Sequence, residues 1–379
     1  EMCIRDRRCI IVNSQKGVYA HMKLVCSKSN LLTGLQVVSK AVPNKTTMSI
    51  LECILIDSTS GEIKLTANDM ELGIETIIEG EILEKGIIAL DAKIFLEIVR
   101  KLPDNDITIT TDSNFKTAIT CEKAKFNIIG KSGEDFSYLP MIERNESIII
   151  SQYTLKEVIR QTIFSISDND NNKLMSGELF EINGEEMRVI SLDGHRISIR
   201  KIHLKNSYPA KKVVVPGKTL NEISKILSGD ADKDVTIFFT DKHIVFEFEN
   251  TTVVSRLIEG EYFKIDQMLS SDYETKVIIH KKELLDCIDR ATLLIKEGDK
   301  KPIIINITDG SMELKINSTV GSMDEEIDIE KMGKDLMIGF NPKFLIDALR
   351  VIDDETITIY LVNPKALSLI HISEPTRPY

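Results

Sequence analysis

One helix–strand unit occurs three times in the chain, at a constant interval. The segments "AKIFLEIVRKLPDNDITIT", "GKTLNEISKILSGDADKDVTIFFT" and "PKFLIDALRVIDDETITIY" each have the pattern of an amphipathic helix followed by an alternating strand. The lysine near the start of each helix, at Lys93, Lys218 and Lys343, recurs every 125 residues. Solenoid repeats have periods of roughly 20–50 residues, so this longer period predicts three tandem copies of one α+β domain with antiparallel sheets.

Each copy also contains a first helix with apolar residues at helical spacing, and then a hairpin with a glycine at its turn. The first helices are predicted over Asn30–Ala41, Tyr153–Ile166 and Lys281–Ile295, and the turn glycines are Gly61, Gly184 and Gly310. Copies one and two close with two more strands. The third copy has room for one at most, because Pro375 and Pro378 interrupt its last residues.

These repeats predict three domains, over residues 22–145, 146–271 and 272–366. Residues 1–21 lack helical or strand periodicity, and residues 367–379 do not fit the repeat. We interpret both ends as non-native, as a leader and a tail. The third domain is then expected to be incomplete at its C-terminal end, with an unpaired edge where its closing strand belongs.

Composition excludes several classes of protein. Hydrophobic residues make up 42% of the chain and charged residues 28%, which is typical of a folded globular protein. No apolar run approaches the roughly 20 residues that cross a bilayer, so a cytoplasmic protein without membrane contact is expected. The six cysteines lack CxxC spacing and are predicted to be reduced thiols. The net charge of −11 argues against a uniformly basic nucleic-acid binder.

The positive charge is concentrated on the predicted helices. Each of the six carries a net positive charge, although the whole chain is acidic. Chance could produce this bias, because lysine and arginine are good helix formers. The functional interpretation is a shared surface that faces a polyanion. Since no aromatic residues are interleaved with these bases, contact with a duplex backbone is favoured over stacking on single strands.

No motif predicts catalysis, a metal site or a cofactor. "VPGKTL" lacks the first glycine of a phosphate loop, since Lys212 stands in its place. "DNDNN" at residues 168–172 resembles the start of a calcium loop, but Lys173 replaces the required glycine. Asp193 and His195 have no third partner or nucleophile in the sequence, and the histidines lack metal-ligand spacing.

The stretch "LFEINGEEMRVISLDGHRISI", with Asp193-Gly194-His195-Arg196, resembles the bacterial sliding clamps, the beta subunits of DNA polymerase III. "SRLIEGEYFKI" and "IGFNPKFLIDAL" support the resemblance, which extends from about Met22 to Ala366. It implies a non-catalytic processivity factor that forms a head-to-tail homodimeric ring around duplex DNA. The implied partners are the replicative polymerase alpha subunit, the clamp loader and other clamp-binding peptides.

The resemblance also implies three groups of site residues. Bases on the helices and on two loops are expected to contact DNA without sequence specificity: Lys45, Lys93, Arg100, Lys101, Arg160, Lys173, Lys218, Lys225, Arg290, Lys343 and Arg350. A cleft for partner peptides is expected at Met175, Leu192, Gly194, His195, Arg196, Ile197, Phe263 and Met268. The subunit interface is expected to join Phe126 and Ile128 of one copy to Leu293 and Leu294 of the other.

The sequence alone leaves alternatives to this function and to these site residues open. The chain could be a phosphoester hydrolase that uses Asp168 and Asp170 with a divalent ion, or a repeat scaffold that binds no nucleic acid. The four interface residues could instead be ordinary core. The family's C-terminal tail is absent from the sequence, so Tyr379 is not expected to reach the cleft, and a chain with that tail is expected to bind polymerase peptides better.

Overall fold

The computed structural model describes residues 21–167, 172–269, 272–296, 301–364 and 368–371. The proposed leader, apart from His21, and Tyr379 lie outside the described residues. Within them, each repeat contains two α-helices, and every strand pairing is antiparallel. The helices are α1 (Lys28–Val38), α2 (Ala92–Lys101), α3 (Gln152–Thr162), α4 (Gly217–Ile226), α5 (Lys281–Thr292) and α6 (Pro342–Val351).

The strands follow the order of the repeats. The first repeat contains β1 (Met22–Ser27), β2 (Cys53–Asp57), β3 (Ile63–Asn68), β4 (Leu72–Ile78), β5 (Glu81–Glu84), β6 (Ile87–Asp91), β7 (Asp106–Thr111), β8 (Lys116–Cys121), β9 (Ala124–Ile129) and β10 (Lys131–Ser132). The second contains β11 (Ser147–Ser151), β12 (Gly177–Leu192), β13 (Ile197–Pro216), β14 (Asp234–Phe239), β15 (His243–Phe248) and β16 (Thr251–Arg256). The third contains β17 (Thr275–His280), β18 (Ile303–Thr308), β19 (Ser311–Asn317), β20 (Ser322–Asp328), β21 (Glu330–Gly333), β22 (Leu336–Phe340), β23 (Thr356–Leu361) and β24 (Leu369–His371).

The lysine-led helices form for local reasons that the sequence shows. In α2, Ala92, Phe95 and Val99 are buried at a spacing of three and four residues, so one face packs on the sheet. Asp91 caps the helix by accepting a hydrogen bond of 2.8 Å from the Ile94 amide. In α6, Asn341 is the cap, and Pro342 occupies the first turn, where its missing N–H costs nothing.

The chain divides into two compact units. The first contains Glu1–Lys156 and Lys218–Ile258, and the second contains Glu157–Gly217 and Glu259–Tyr379. In the first unit, one sheet has the order β5-β1-β7-β8-β9. The other has nine strands in the order β10-β6-β2-β3-β4-β16-β15-β14-β11. The β4–β16 pairing, from Thr76↔Thr251 to Leu72↔Ser255, therefore makes one sheet out of strands from two repeats.

The second unit contains three sheets. Their orders are β12-β13, β21-β17-β23-β24 and β20-β19-β18-β22. In the third repeat, α5 and α6 pack together over one apolar core, to which Leu284 and Ile288 of α5 and Leu349 of α6 contribute. Since each lysine-led helix presents the opposite face outward, its charged residues remain at the surface.

The expected elements are present, with small differences at their ends. Gly61 and Gly310 lie at hairpin turns with φ of +100° and +81°, the left-handed region that glycine tolerates. The prediction for Gly184 is wrong, because this residue, with φ of +62°, lies within β12, where the pairing with β13 is irregular. The first helices end earlier than the apolar pattern indicates, because a 3₁₀ turn follows α1 and α3. The described part of residues 367–379 forms the single strand β24, whose outer edge has no partner among the described residues.

Candidate functional site

Two of the predicted DNA-contacting lysines of the first unit make no ion pair among the described residues. Lys45 lies on the loop after α1 and Lys93 in the first turn of α2, and both are exposed. The other bases of this unit have acidic neighbours. The pairs are Arg100–Glu97 at 2.5 Å, Lys101–Glu97 at 3.9 Å, Lys225–Glu222 at 2.8 Å and Lys218–Asp69.

The second unit shows the same division. Lys173, at the start of a short 3₁₀ turn, and Lys343, in the first turn of α6, are exposed and form no ion pair within the described ranges. The remaining bases are paired: Arg160 with Glu157 and Asp353, each at 2.6 Å, Arg350 with Asp289 at 3.4 Å, and Arg290 with Glu325. Lys45, Lys93, Lys173 and Lys343 are therefore the most available for a polyanion.

The position of the recurring lysines disfavours a role in helix stability. Lys93, Lys218 and Lys343 are each the second residue of α2, α4 or α6, at the positive end of the helix dipole. A cation there costs a few tenths of a kcal/mol, up to about 1 kcal/mol, whereas an acidic residue would stabilise the helix. An unfavourable charge repeated in all three copies indicates selection for something outside the helix.

One part of the predicted charge bias is wrong. Five of the six helices are net positive within their observed bounds, but α5 is neutral, with three bases and three acids. The predicted net charge was counted over Lys281–Lys296, and so included Lys296, which lies beyond Thr292, where the helix ends. The cause is the short segment Leu293–Ile295, whose apolar residues continue the helical pattern although their backbone leaves the α-helix.

The Asp193–Arg196 segment forms a tight turn between β12 and β13. Asp193 Oδ1 accepts hydrogen bonds of 3.0 and 3.2 Å from the amides of His195 and Arg196. Gly194 has φ of +88°, a conformation that only glycine adopts without strain. The turn therefore fixes the direction of the His195 and Arg196 side chains.

Arg196 is the centre of a network that sequence reasoning did not find. Its guanidinium pairs with Asp193 at 2.9 Å and with Asp347 of α6 at 2.7 Å. It also lies over the rings of Phe164 at 5.4 Å and Phe344 at 4.5 Å, close enough for cation–π attraction. These partners stand up to 151 residues away in the sequence, and only the fold brings them together.

The other predicted cleft residues differ in exposure. Leu192 is buried at the end of β12, whereas Met268 is exposed. Met175 and Ile197 are half-buried, and the His195 ring stacks on Phe344 with centroids 5.7 Å apart. Phe263 contacts the buried Tyr262 edge to face at 5.6 Å. The cleft residues therefore combine apolar side chains with a fixed arginine and a surface histidine.

A buried carboxyl group lies at the beginning of β12. Glu178 has no exposed surface, and its Oε1 atom has no hydrogen-bond partner among the described residues. Burial raises the pKa of Glu178 from 4.5 to about 8, although the Thr162 hydroxyl opposes the shift. Burial, and then the charge of Glu178, also raise the pKa of Tyr262. Glu178 is therefore protonated at neutral pH.

The predicted interface residues are not all core. Phe126 on β9 is 40% exposed, and Leu293, just after α5, is 80% exposed. Ile128 and Leu294 are half-buried, and Leu294 packs against the core of the third repeat. In the described residues β9 pairs only with β8, and β20 pairs only with β19. Both strands therefore present an open backbone edge.

The described residues contain no group of three His, Cys, Asp or Glu side chains arranged to hold a metal ion. Asp168 and Asp170 of the hydrolase alternative lie outside them. Four cysteines are buried thiols: Cys26, Cys53, Cys121 and Cys287. Burial raises the pKa of Cys26 and Cys287 to about 12, so neither is a thiolate at neutral pH. Among the described helices, none has the length and apolarity to cross a membrane.

Comparison with known proteins gives a consistent result over the whole described chain. Family models for the N-terminal, central and C-terminal domains of the DNA polymerase III beta subunit match residues 22–140, 149–264 and 266–376. The "Beta sliding clamp" of Staphylococcus aureus is 33% identical, over 94% of this chain and 100% of its own length.

Solved structures agree with the family models. A putative DNA polymerase III beta subunit from Eubacterium rectale is 76% identical with a TM-score of 0.91, covering 93% of this chain and 96% of that one. The DNA polymerase sliding clamp of Bacillus subtilis is 32% identical with a TM-score of 0.90, covering 94% and 97%. The three repeats, their antiparallel sheets and these matches together show that the chain belongs to the bacterial beta sliding clamp family, the beta subunits of DNA polymerase III.

Proposed function

We propose that two copies of the chain close head to tail into a ring around duplex DNA and hold the replicative polymerase there. As a sliding clamp, the chain is a processivity factor for a DNA polymerase, and the comparisons give no support to the hydrolase alternative. The proposal extends this role to the dimer, the DNA-facing residues and the partner cleft. It treats the chain as a non-catalytic subunit.

The nine-stranded sheet supports head-to-tail closure. There, β4 of the first repeat pairs with β16, the last strand of the second. By repeat position, β20 corresponds to β4, and β9 corresponds to β16. Both edges are open in the described residues, with orders β20-β19-β18-β22 and β5-β1-β7-β8-β9. Pairing β20 of one copy with β9 of another joins four strands to five and gives nine, as many as in the sheet that exists within the chain.

Side chains near these edges are complementary. β20 carries the acidic residues Asp324, Glu325, Glu326 and Asp328, whereas Lys123 and Lys125 lie in and just before β9. The exposed Phe126 lies on β9, and the exposed Leu293 follows α5, which contacts β20, so both can supply apolar area to such a contact. Because this contact joins different surfaces of the two copies, two such contacts are needed to close a dimer.

The DNA-facing surface is assigned to the outward faces of the helices. Lys93 and Lys343 have no acidic partner in the described residues, and their positions on the helices are equivalent. Such lysines attract phosphates regardless of base sequence, and each neutralised phosphate releases roughly one counterion. The ion-paired bases, such as Arg100 and Lys225, would have to exchange a carboxylate for a phosphate, so their contribution is expected to be smaller.

The partner cleft is assigned to the residues around the Asp193–Arg196 turn. A short peptide would place an apolar side chain against Leu192, Phe263 and Met268, beside the fixed Arg196. Short linear peptides commonly bind through one or two anchor side chains in such a pocket. Polymerase and clamp-loader segments of this kind are the proposed ligands.

A single-molecule retention experiment tests the ring. The protein is loaded by a bacterial clamp loader onto nicked circular plasmid, and the plasmid is then cut once with a restriction enzyme. A ring slides off the new ends, so retention should fall sharply on cutting and should recover when both ends are blocked by a bound protein. Equal retention before and after the cut would exclude topological binding.

A further inference from the structure

The first repeat contains a turn with the same geometry as the turn of the proposed partner cleft. Asp69 Oδ1 accepts hydrogen bonds from the amides of Glu71 and Leu72, at 3.0 and 2.7 Å, as Asp193 does from the second and third residues after it. The Asp69 amide donates to the Leu72 carbonyl at 3.0 Å, and the Asp193 amide donates to Arg196 at 3.3 Å. The two turns are therefore structurally equivalent.

The equivalence includes an unusual backbone conformation. Met70 has φ of +77°, where its counterpart Gly194 has +88°. An unbranched side chain such as methionine rarely adopts this region, and strained residues of this kind cluster at binding sites. The Met70 side chain is nevertheless exposed, so its own burial does not compensate for the strain.

This turn borders a pocket of about 230 Å³ at the junction of the first two repeats, within the first unit. We call it the junction pocket, and its lining includes Met70, Tyr138, Leu139, Val254 and Arg256. A Cβ atom at Gly73 would lie 2.0 Å from Leu139 Cδ2, so a glycine is required for Leu139 to lie in its place. The result is an apolar recess large enough for one or two side chains.

One side of the junction pocket is basic. Arg256 and His243 line it, and the exposed Lys242 adjoins His243. Burial and then the charges of Arg256 and Lys242 lower the pKa of His243, so its neutral ring is a hydrogen-bonding partner at neutral pH. In the part of the chain that the structure describes, the Arg256 guanidinium pairs with one acidic residue, Glu71, at 3.6 Å, and both side chains are more than half exposed. A ligand carboxylate could therefore displace Glu71.

We propose that the junction pocket is a second docking site for short linear peptides, specifically those with an apolar side chain next to a carboxylate. The apolar side chain enters the recess between Met70, Leu139 and Val254, and the carboxylate pairs with Arg256. The inference rests on the proposed function where it takes the Asp193–Arg196 turn as part of a peptide cleft. Each subunit then has two peptide sites, one beside each equivalent turn.

Methyl NMR distinguishes the two sites in the intact protein. The chain contains 12 methionines, which are labelled with ¹³C at the methyl group and assigned by Met→Leu substitution. Met70 reports on the junction pocket, whereas Met175 and Met268 report on the proposed cleft. The probe is the blocked peptide acetyl-Leu-Asp-Phe-amide, and its Asn analogue is the control that lacks the carboxylate.

We expect the Met70 signal to shift in a saturable way with the Asp peptide, and at least about tenfold more weakly with the Asn peptide, because a charge-assisted hydrogen bond is lost. Arg256→Glu should weaken the Met70 response by a similar factor, while Arg256→Lys should keep most of it. Glu71→Gln should strengthen binding, since it removes the competing carboxylate. Neither Arg256 variant should alter the responses of Met175 and Met268.

Three results would overturn the proposal. If Met175 and Met268 respond but Met70 does not at millimolar peptide, the junction pocket is not a site and the proposed cleft stands. If none of the three responds, the junction pocket fails, and the cleft assignment fails independently for this class of peptide. If Met70 responds equally in Arg256→Glu, the shift does not come from the proposed carboxylate contact.

Discussion

Replacing Glu178 with glutamine should remove a pH dependence from the stability of the fold. The contacts of Thr162 indicate that Glu178 is protonated in the folded state. The Thr162 hydroxyl lies 2.7 Å from the Val158 carbonyl and 3.1 Å from Glu178 Oε2. A hydroxyl has one proton, and the Val158 carbonyl, at the shorter distance, competes with Glu178 for it. With Glu178 Oε1 unpartnered among the described residues as well, a buried carboxylate would be poorly compensated, which favours the protonated form.

The expected magnitude follows from the pKa. Glu178 has a pKa raised from 4.5 to about 8 in the folded state. Each unit corresponds to about 1.4 kcal/mol, so the whole shift is on the order of 5 kcal/mol as an upper figure. Below pH 4.5 the carboxyl is protonated in both states, and no stability is lost. Between pH 4.5 and about 8 the unfolded chain ionises first, so the free energy of unfolding falls as pH rises.

Urea denaturation followed by far-ultraviolet circular dichroism measures this effect from pH 5 to pH 9. The chain has no tryptophan, so a fluorescence assay would lack its usual probe. We expect the free energy of unfolding of Glu178→Gln, relative to the unaltered protein, to increase by a few kcal/mol across this range, because the amide cannot ionise. Glu186→Gln, an exposed position on the same strand, is the matched control and should show no such increase.

A constant difference between Glu178→Gln and the unaltered protein at every pH would refute this reasoning. It would mean that the folded state ionises Glu178 with the same pKa as the unfolded chain. A difference that grows toward low pH would be equally contrary, because it would require a carboxylate stabilised by the fold.

Three further predictions concern the sites. Lys93→Glu should shorten the lifetime of the protein on nicked circular DNA and flatten the salt dependence of that lifetime. The control Lys225→Glu should have a smaller effect, because Glu222 already balances the charge of Lys225, and equal effects would contradict the assigned phosphate contact. Leu293→Asp should convert dimers to monomers in sedimentation velocity without lowering the melting temperature, because this side chain is mostly exposed, whereas a lower melting temperature would indicate a core role. Arg196→Ala should weaken the binding of a polymerase peptide, measured by fluorescence anisotropy. It should also lower the free energy of unfolding by about 1–3 kcal/mol, since two ion pairs and two aromatic contacts are lost. An unchanged peptide affinity would show that Arg196 is not part of the cleft.

The sequence was sufficient to predict elements whose signals are local. The amphipathic pattern of "AKIFLEIVRK" predicts a helix over Ala92–Lys101, and α2 has these bounds, because Asp91 caps its start and Leu102 its end. The turn glycines Gly61 and Gly310 were predicted for the same reason, whereas Gly184 was not, since it lies within a long strand instead of at a turn. Met70 was not, because a methionine gives no sign that its backbone will be left-handed. The pattern at Leu293–Ile295 misled the prediction, since apolar periodicity does not show where the backbone leaves the helix.

Contacts between segments that are distant in the chain could not be predicted from the sequence. Arg196 could be named from the family motif, but its partners Phe164, Phe344 and Asp347 could not, because nothing local links them. The sign of the net charge was predicted for five of the six helices, whereas the pairing of most bases with acids was not. Glu178 looks like any strand glutamate until its burial is known.

The β4–β16 junction has a consequence for how a ring of this kind could open. Within the chain, the polypeptide keeps the two strands near each other, so a junction that breaks re-forms as an intramolecular event at high effective concentration. The proposed β20–β9 junction joins separate chains, and its strands can diffuse apart once they separate. Two contacts with similar hydrogen bonding would thus differ in lifetime because of entropy alone. DNA would therefore enter the ring at the junction between two chains, even if the contacts there were as strong as those of the β4–β16 junction.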